Sequence, residues 1–152
     1  MKIKAIDHLC FAVRDLDEAR RRYEEDLGLE LDGLYVSESE KIRVARYYIG
    51  AVALELIEPN SDDSEVAKFL KRRGEGFYLI SYRVDDVPSA LAELAAKGVS
   101  TIDREPRQLK GNRYAFIHPP KALSGVLTEV LDGEFEYGEE RNDYEADQGV
   151  AG

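Results

Sequence analysis

One cysteine, Cys10, stands in a chain of 152 residues, so an intramolecular disulfide and a multi-cysteine zinc site are both excluded. Basic residues are also short: 21 Lys and Arg against 31 Asp and Glu leave a formal net charge of −10. A nucleic-acid or anionic-membrane binder needs a basic patch to neutralise phosphate, and this balance argues against either partner. No apolar run approaches transmembrane length, and the start MKIKAIDHL lacks the apolar stretch of a secretory signal. The expectation is a soluble, cytoplasmic protein. What is present is 43% hydrophobic and 34% charged residues in a length that suits one domain, so a sizeable core is expected. The negative charge is uneven, with eight acids and one base between Asp132 and Gly152.

A weak internal repeat organises the chain. His8-Leu-Cys-Phe-Ala-Val-Arg-Asp-Leu-Asp-Glu-Ala lies without a gap over Leu79-Ile-Ser-Tyr-Arg-Val-Asp-Asp-Val-Pro-Ser-Ala, matching Val13 to Val84, Asp15 to Asp86 and Ala19 to Ala90. In both copies an apolar strand runs into an Asp that caps an amphipathic helix. The first helix is predicted from Asp15 to about Asp26, with Glu18 completing a capping box and Gly28 as stop. The second runs from about Val87 to Lys97, with Pro88 in its first turn and Gly98 closing it. Strands are predicted at Leu29 to Val36, Lys41 to Ile49 and Val52 to Glu58, then at Val99 to Asp103, Asn112 to His118 and Gly125 to Leu131. Each copy therefore reads β-α-β-β-β. Module one spans about 3–62 and module two about 76–132, within a single domain over 1–132. Ser64 to Arg73 forms a linker helix over about 64–73, and 133–152 is an acidic tail, mobile or draped over the surface, with isolated Phe135, Tyr137 and Tyr144. The fold class is α+β: two βαβββ modules packed into a curved mixed sheet enclosing a concave site.

Strand alternation selects the residues that line that site. If His8 points inward, so do Cys10 and Ala12, and in the matching strand Leu79, Ser81 and Arg83. Glu55 and Glu129 occupy equivalent places on the last strand of each copy, both between apolar neighbours. Taken singly, a histidine in a first strand is an ordinary hydrogen-bonded residue, and a glutamate in a strand an ordinary solvated one. Taken together, one imidazole and two carboxylates reaching for one cavity suit a divalent ion such as Zn, Mn, Co or Fe.

With these residues in place the sequence resembles the vicinal oxygen chelate superfamily, and within it methylmalonyl-CoA epimerase. The resemblance is carried by Ile6-Asp-His-Leu-Cys-Phe-Ala-Val, Asp15-Leu, Leu54-Glu-Leu-Ile-Glu-Pro and Gly76-Phe ahead of Arg83-Val-Asp-Asp-Val. It continues in Gly111-Asn-Arg-Tyr-Ala-Phe-Ile-His-Pro and Gly125-Val-Leu-Thr-Glu-Val, and it covers about residues 3–132. It implies metal ligands at His8, Glu55 and Glu129, with a share in proton transfer for Glu129. It also implies an isomerase or epimerase acting at the α-carbon of an acyl-CoA or similar carbonyl substrate. For the nucleotide end of CoA it points to Arg113 and His118, with Lys110 and Lys121 nearby. It leaves room for a homodimer.

Two positions depart from the family pattern. The fourth ligand, a histidine, falls on Leu79, and neighbouring Tyr78 faces the other side of the strand. A proton-transfer position on the third strand of module one falls near Val44, which has no proton to exchange. Three readings therefore stand open: an epimerase keeping its metal on three ligands, a lyase, isomerase or dioxygenase of the same superfamily with a non-CoA substrate, and a metal-free small-molecule-binding protein in which Leu79 helps form an apolar pocket.

Overall fold

Asp15 and Asp86 open equivalent helices, as the repeat predicts. Each takes an extended backbone, and its carboxylate accepts the N–H of the residue three further on, Glu18 or Ser89. The computed structural model describes residues 1–138, without the side chains of 121 and 122. Tyr144 and the rest of the acidic tail lie outside the described residues. The strands are β1 (Ala5–Ala12), β2 (Leu31–Ser37), β3 (Ile42–Ile49), β4 (Val52–Pro59), β5 (Gly76–Arg83), β6 (Arg107–Leu109), β7 (Asn112–Ile117) and β8 (Leu127–Gly133). The helices are α1 (Leu16–Arg21), α2 (Glu65–Arg73) and α3 (Val87–Ala96). The class is α+β, and both β-α-β-β-β runs are present. No helix among the described residues is long and apolar enough to cross a membrane.

The chain divides into two compact units that do not coincide with the repeat, because β1 contributes to both. The first comprises Met1–Leu9 and Leu79–Glu136, with strand order β1-β5-β8-β7-β6. Here β5 and β8 run parallel, aligning Leu79 with Leu127 and Ser81 with Glu129. One sheet face packs on α3 through Val84, Val87, Ala90, Leu91, Leu94, Ala115, Ile117 and Val130. Each valine, leucine or isoleucine among them contributes about 1.5–3 kcal/mol on burial.

The second unit holds Cys10–Tyr78 and, past Glu136, Tyr137 and Gly138, with strand order β2-β3-β4-β1. Strands β2, β3 and β4 are antiparallel. Val13, Leu16, Leu34, Ala45, Tyr47, Leu54 and Leu56 pack together with α1. The linker helix α2 is capped by Ser64 and buries Val66, Phe69 and Leu70, as its spacing predicts.

Three local expectations need correction. The strand predicted over Val99 to Asp103 is reduced to one bridge between Thr101 and Ile117. Asp103 takes the Phe116 N–H on its own carboxylate at 3.0 Å, so a side chain substitutes for the ladder. The strand proper, β6, comes later and pairs with β7 through a turn in which Lys110 and Gly111 both have positive φ. The first helix keeps α geometry only to Arg21, and Arg22–Asp26 forms a π turn. Its capping box is half made, because the Glu18 carboxylate is engaged by Arg21.

Candidate functional site

In the first unit, alternation along β1 buries His8, as expected. Its Nδ1 lies 2.8 Å from the Asp7 carboxylate, which also accepts Arg83 Nη2 at 2.9 Å. A carboxylate can only accept, so Asp7 fixes the imidazole proton on Nδ1 and turns the Nε2 lone pair outward. Burial pushes the Asp7 carboxyl up, but His8 and Arg83 outweigh it and hold it below its usual value. Nε2 then faces the buried Glu129 carboxylate on β8 at 3.4 Å. A lone pair and a carboxylate oxygen so close repel each other unless a proton or cation lies between them. This donor chemistry fits a divalent ion. Beside it on β5, Leu79 and Ser81 are buried, and the Ser81 hydroxyl has no hydrogen-bond partner among the described residues.

In the second unit, Glu55 is 3% exposed, and its Oε2 accepts both Tyr35 Oη and Arg46 Nη1 at 2.7 Å. The Cys10 thiol lies 3.5 Å from Oε1, and Arg46 Nη2 donates to Tyr48 Oη at 3.1 Å. Strand pairing brings this group together, with Tyr35 opposite Val44 on β3 and Arg46 opposite Glu55 on β4. Burial and the neighbouring Glu55 charge push the Tyr35 phenol well above its ordinary range, so it stays protonated. The Tyr35 and Arg46 hydrogen bonds converge on Oε2, and the Cys10 thiol approaches Oε1.

A second pair of carboxylates follows the first at the same interval. Glu58, three residues after Glu55, accepts the Leu16 N–H at the start of α1 at 2.6 Å and pairs with Arg43 at 3.2 Å. Asp132, three residues after Glu129, accepts the Val87 N–H at the start of α3 at 2.6 Å. Arg113 grips Asp132 through Nε at 2.9 Å and Nη2 at 2.6 Å, and also reaches Asp86 at 3.0 Å. Each module thus uses a strand carboxylate and a cross-strand arginine to dock its helix, Arg43 with Glu58 and Arg113 with Asp132. His118 is exposed ahead of a cis peptide bond to Pro119. The side chain of Lys121 lies outside the described ones.

Of the residues selected from the sequence, His8 and Glu129 meet within the first unit, and Glu55 is buried within the second. Asp7, Tyr35 and Arg46 went unselected. Arg46 carried the signal that selects Glu55, a charge inside an apolar strand run, and Asp7 stood within the Ile6-Asp-His motif itself.

Comparison with known proteins places the chain in a family. An uncharacterized protein of Bacillus subtilis, YqjC, is 37% identical over 141 residues, covering 92% of this chain and 98% of its own. The mitochondrial methylmalonyl-CoA epimerase of Homo sapiens is 29% identical over 127 residues, 82% of this chain and 72% of that one. A solved structure of methylmalonyl-CoA epimerase in complex with methylmalonyl-CoA and NH4+ matches with a TM-score of 0.80 at 36% identity, covering 86% of this chain and 94% of that one. Residues 7–116 match the family profile as well, and the chain belongs to the Glyoxalase/Bleomycin resistance protein/Dioxygenase superfamily, the vicinal oxygen chelate group.

Proposed function

We propose that this chain is an epimerase-like enzyme that moves a proton at the carbon next to a thioester or similar carbonyl, acyl-CoA being the preferred substrate class. The observation that carries the reading is the buried Asp7–His8–Glu129 line, with an oriented imidazole facing a carboxylate. Similarity to methylmalonyl-CoA epimerases supports the substrate class. In this reading His8, Glu55 and Glu129 hold a divalent ion, Co, Mn, Zn or Fe. When bound, such an ion polarises the substrate carbonyl and stabilises charge developing on its oxygen.

The chain's own residues supply the rest. Asp7 keeps His8 in one tautomer and one orientation. Glu129 is the proposed base, since its second oxygen can accept a proton from the α-carbon. Tyr35 and Arg46 hold the Glu55 carboxylate in one orientation through Oε2. His118 and Lys110 are proposed contacts for the phosphates of CoA, and Arg113 would share its guanidinium with Asp132 while doing the same.

A specific observation favours a second reading, a metal-free binding protein. Arg46 already supplies positive charge to Glu55, and leucine stands at position 79. Two measurements decide. Metal analysis of purified protein, with titration of Mn and Co, is expected to show one bound ion per chain; its failure moves the assignment to the binding protein. Incubation of the metal-loaded protein with methylmalonyl-CoA in D2O is expected to place deuterium at the α-carbon, and no exchange rejects that substrate.

A further inference from the structure

The first residues of the C-terminal tail run onto the sheet of the second unit. Tyr137 is half-buried there, its hydroxyl donating to Asp32 Oδ2 at 2.6 Å and its ring edge-on to Tyr35 at 6.3 Å. Beneath it lies Gly33. A Cβ added to Gly33 would stand 2.5 Å from Cζ of Tyr137, a separation that folded structures essentially never show. Gly33 has no positive φ, so its backbone does not demand glycine and the space is what the missing side chain provides.

Register places this contact. Gly33 on β2 is opposite Arg46 on β3, and Arg46 is opposite Glu55 on β4. Cross-strand partners share a face, so the three positions form one row. The Tyr137 ring occupies the outer end of that row, where residue 33 has no side chain of its own. Tyr35, two residues along β2 on the same face, touches both members, its ring meeting Tyr137 and its hydroxyl meeting Glu55.

We infer that Tyr137 is a wall of the ligand-binding face of the second unit and limits the size of the group accommodated beside Glu55, with Gly33 as its seat. The nature of that group, an acyl chain, rests on the functional reading above; the seating does not. An aromatic ring at the outer end of the row limits how far a group beside Glu55 extends past Arg46. Asp32 fixes the ring by its hydroxyl, and Tyr35 backs it.

Two arms test this. Limited digestion with chymotrypsin, which cuts after aromatic residues, reads the seating without any ligand. Cleavage after Tyr137, followed by mass spectrometry, is expected to be slow in the wild type. It should be at least about tenfold faster in Gly33→Ala, whose new methyl occupies the seat. Equal rates in the two proteins overturn the inference. Thermal unfolding of Gly33→Ala confirms that the strand itself survives, and Asp32→Asn, which changes no volume, gives an independent and smaller acceleration.

The second arm compares kcat/KM for methylmalonyl-CoA and for homologues with longer α-substituents. Tyr137→Ala is expected to shift the ratio toward the longer substrate by about tenfold per added methylene. An unchanged ratio in an active enzyme overturns the wall while leaving the function intact. Absence of turnover of every thioester by the wild type rejects the substrate reading instead, and the digestion arm alone then decides the inference.

Discussion

Asp7 and His8, adjacent on one strand, are hydrogen-bonded to each other, with the carboxylate 2.8 Å from Nδ1. Neighbours on a strand ordinarily face opposite sides, yet Nδ1 lies on the near edge of the ring, within reach of a short acidic side chain. The result is an imidazole whose tautomer and direction are set before any ligand arrives.

That orientation is open to measurement. Asp7→Asn keeps the shape but frees the imidazole to switch tautomer, and it is expected to weaken Mn or Co binding by about 10- to 100-fold. Isothermal titration of the wild type and variant reads the difference directly. Equal affinities would remove Asp7 from the site.

The same pair sets a pH dependence. The Asp7 carboxyl titrates below its usual value of 3.8 when folded and returns to it on unfolding. The stability it contributes is therefore present above that usual value and is lost as pH falls through the lower folded value. Urea midpoints measured from pH 6 down to about pH 3 should fall, and Asp7→Asn should flatten part of that decline.

Arg46 and Glu55 are buried together at 2.7 Å, so removing one partner strands the other. Arg46→Met is expected to cost about 3–5 kcal/mol, and Arg46→Met with Glu55→Leu less, its residual cost being the roughly 1–3 kcal/mol of the buried Tyr35 hydroxyl left without its acceptor. Denaturant titration followed by circular dichroism gives both values. A double variant as unstable as the single one would mean that packing, not charge, dominates this corner.

Leu79 offers the converse experiment. It is buried on β5 two residues before Ser81, which lies opposite Glu129. Leu79→His is expected to add a nitrogen donor and raise Mn or Co affinity by about tenfold or more, at a cost in stability of about 1–3 kcal/mol for the polar burial in the metal-free protein. Unchanged affinity would place residue 79 away from the ion.

Asp132 carries a structural prediction free of any ligand. Asp132→Ala leaves the Val87 N–H and the Arg113 guanidinium without their buried acceptor, and it should destabilise the protein by about 2–3 kcal/mol. Loss of hydrogen-exchange protection at the start of α3 would accompany it. Glu58→Ala should do the same at the start of α1, to a similar degree.

Much was determined by the sequence alone. The repeat, the caps at Asp15 and Asp86, the buried face of α2 and the burial of His8, Cys10, Ala12, Leu79 and Ser81 are all periodic or local, and period and local hydrogen bonding survive in one dimension. Arg83, expected with that set, is instead only half-buried and bound to Asp7. Strand partners are not local. Which arginine meets Glu55, which one docks beside Asp132 and which glycine receives Tyr137 depend on register between strands, and only the folded sheet fixes register. That is why Arg113, singled out for its motif, proved to be bound to Asp132, while Arg46, equally visible in its apolar run, acquired meaning only once β3 lay against β4.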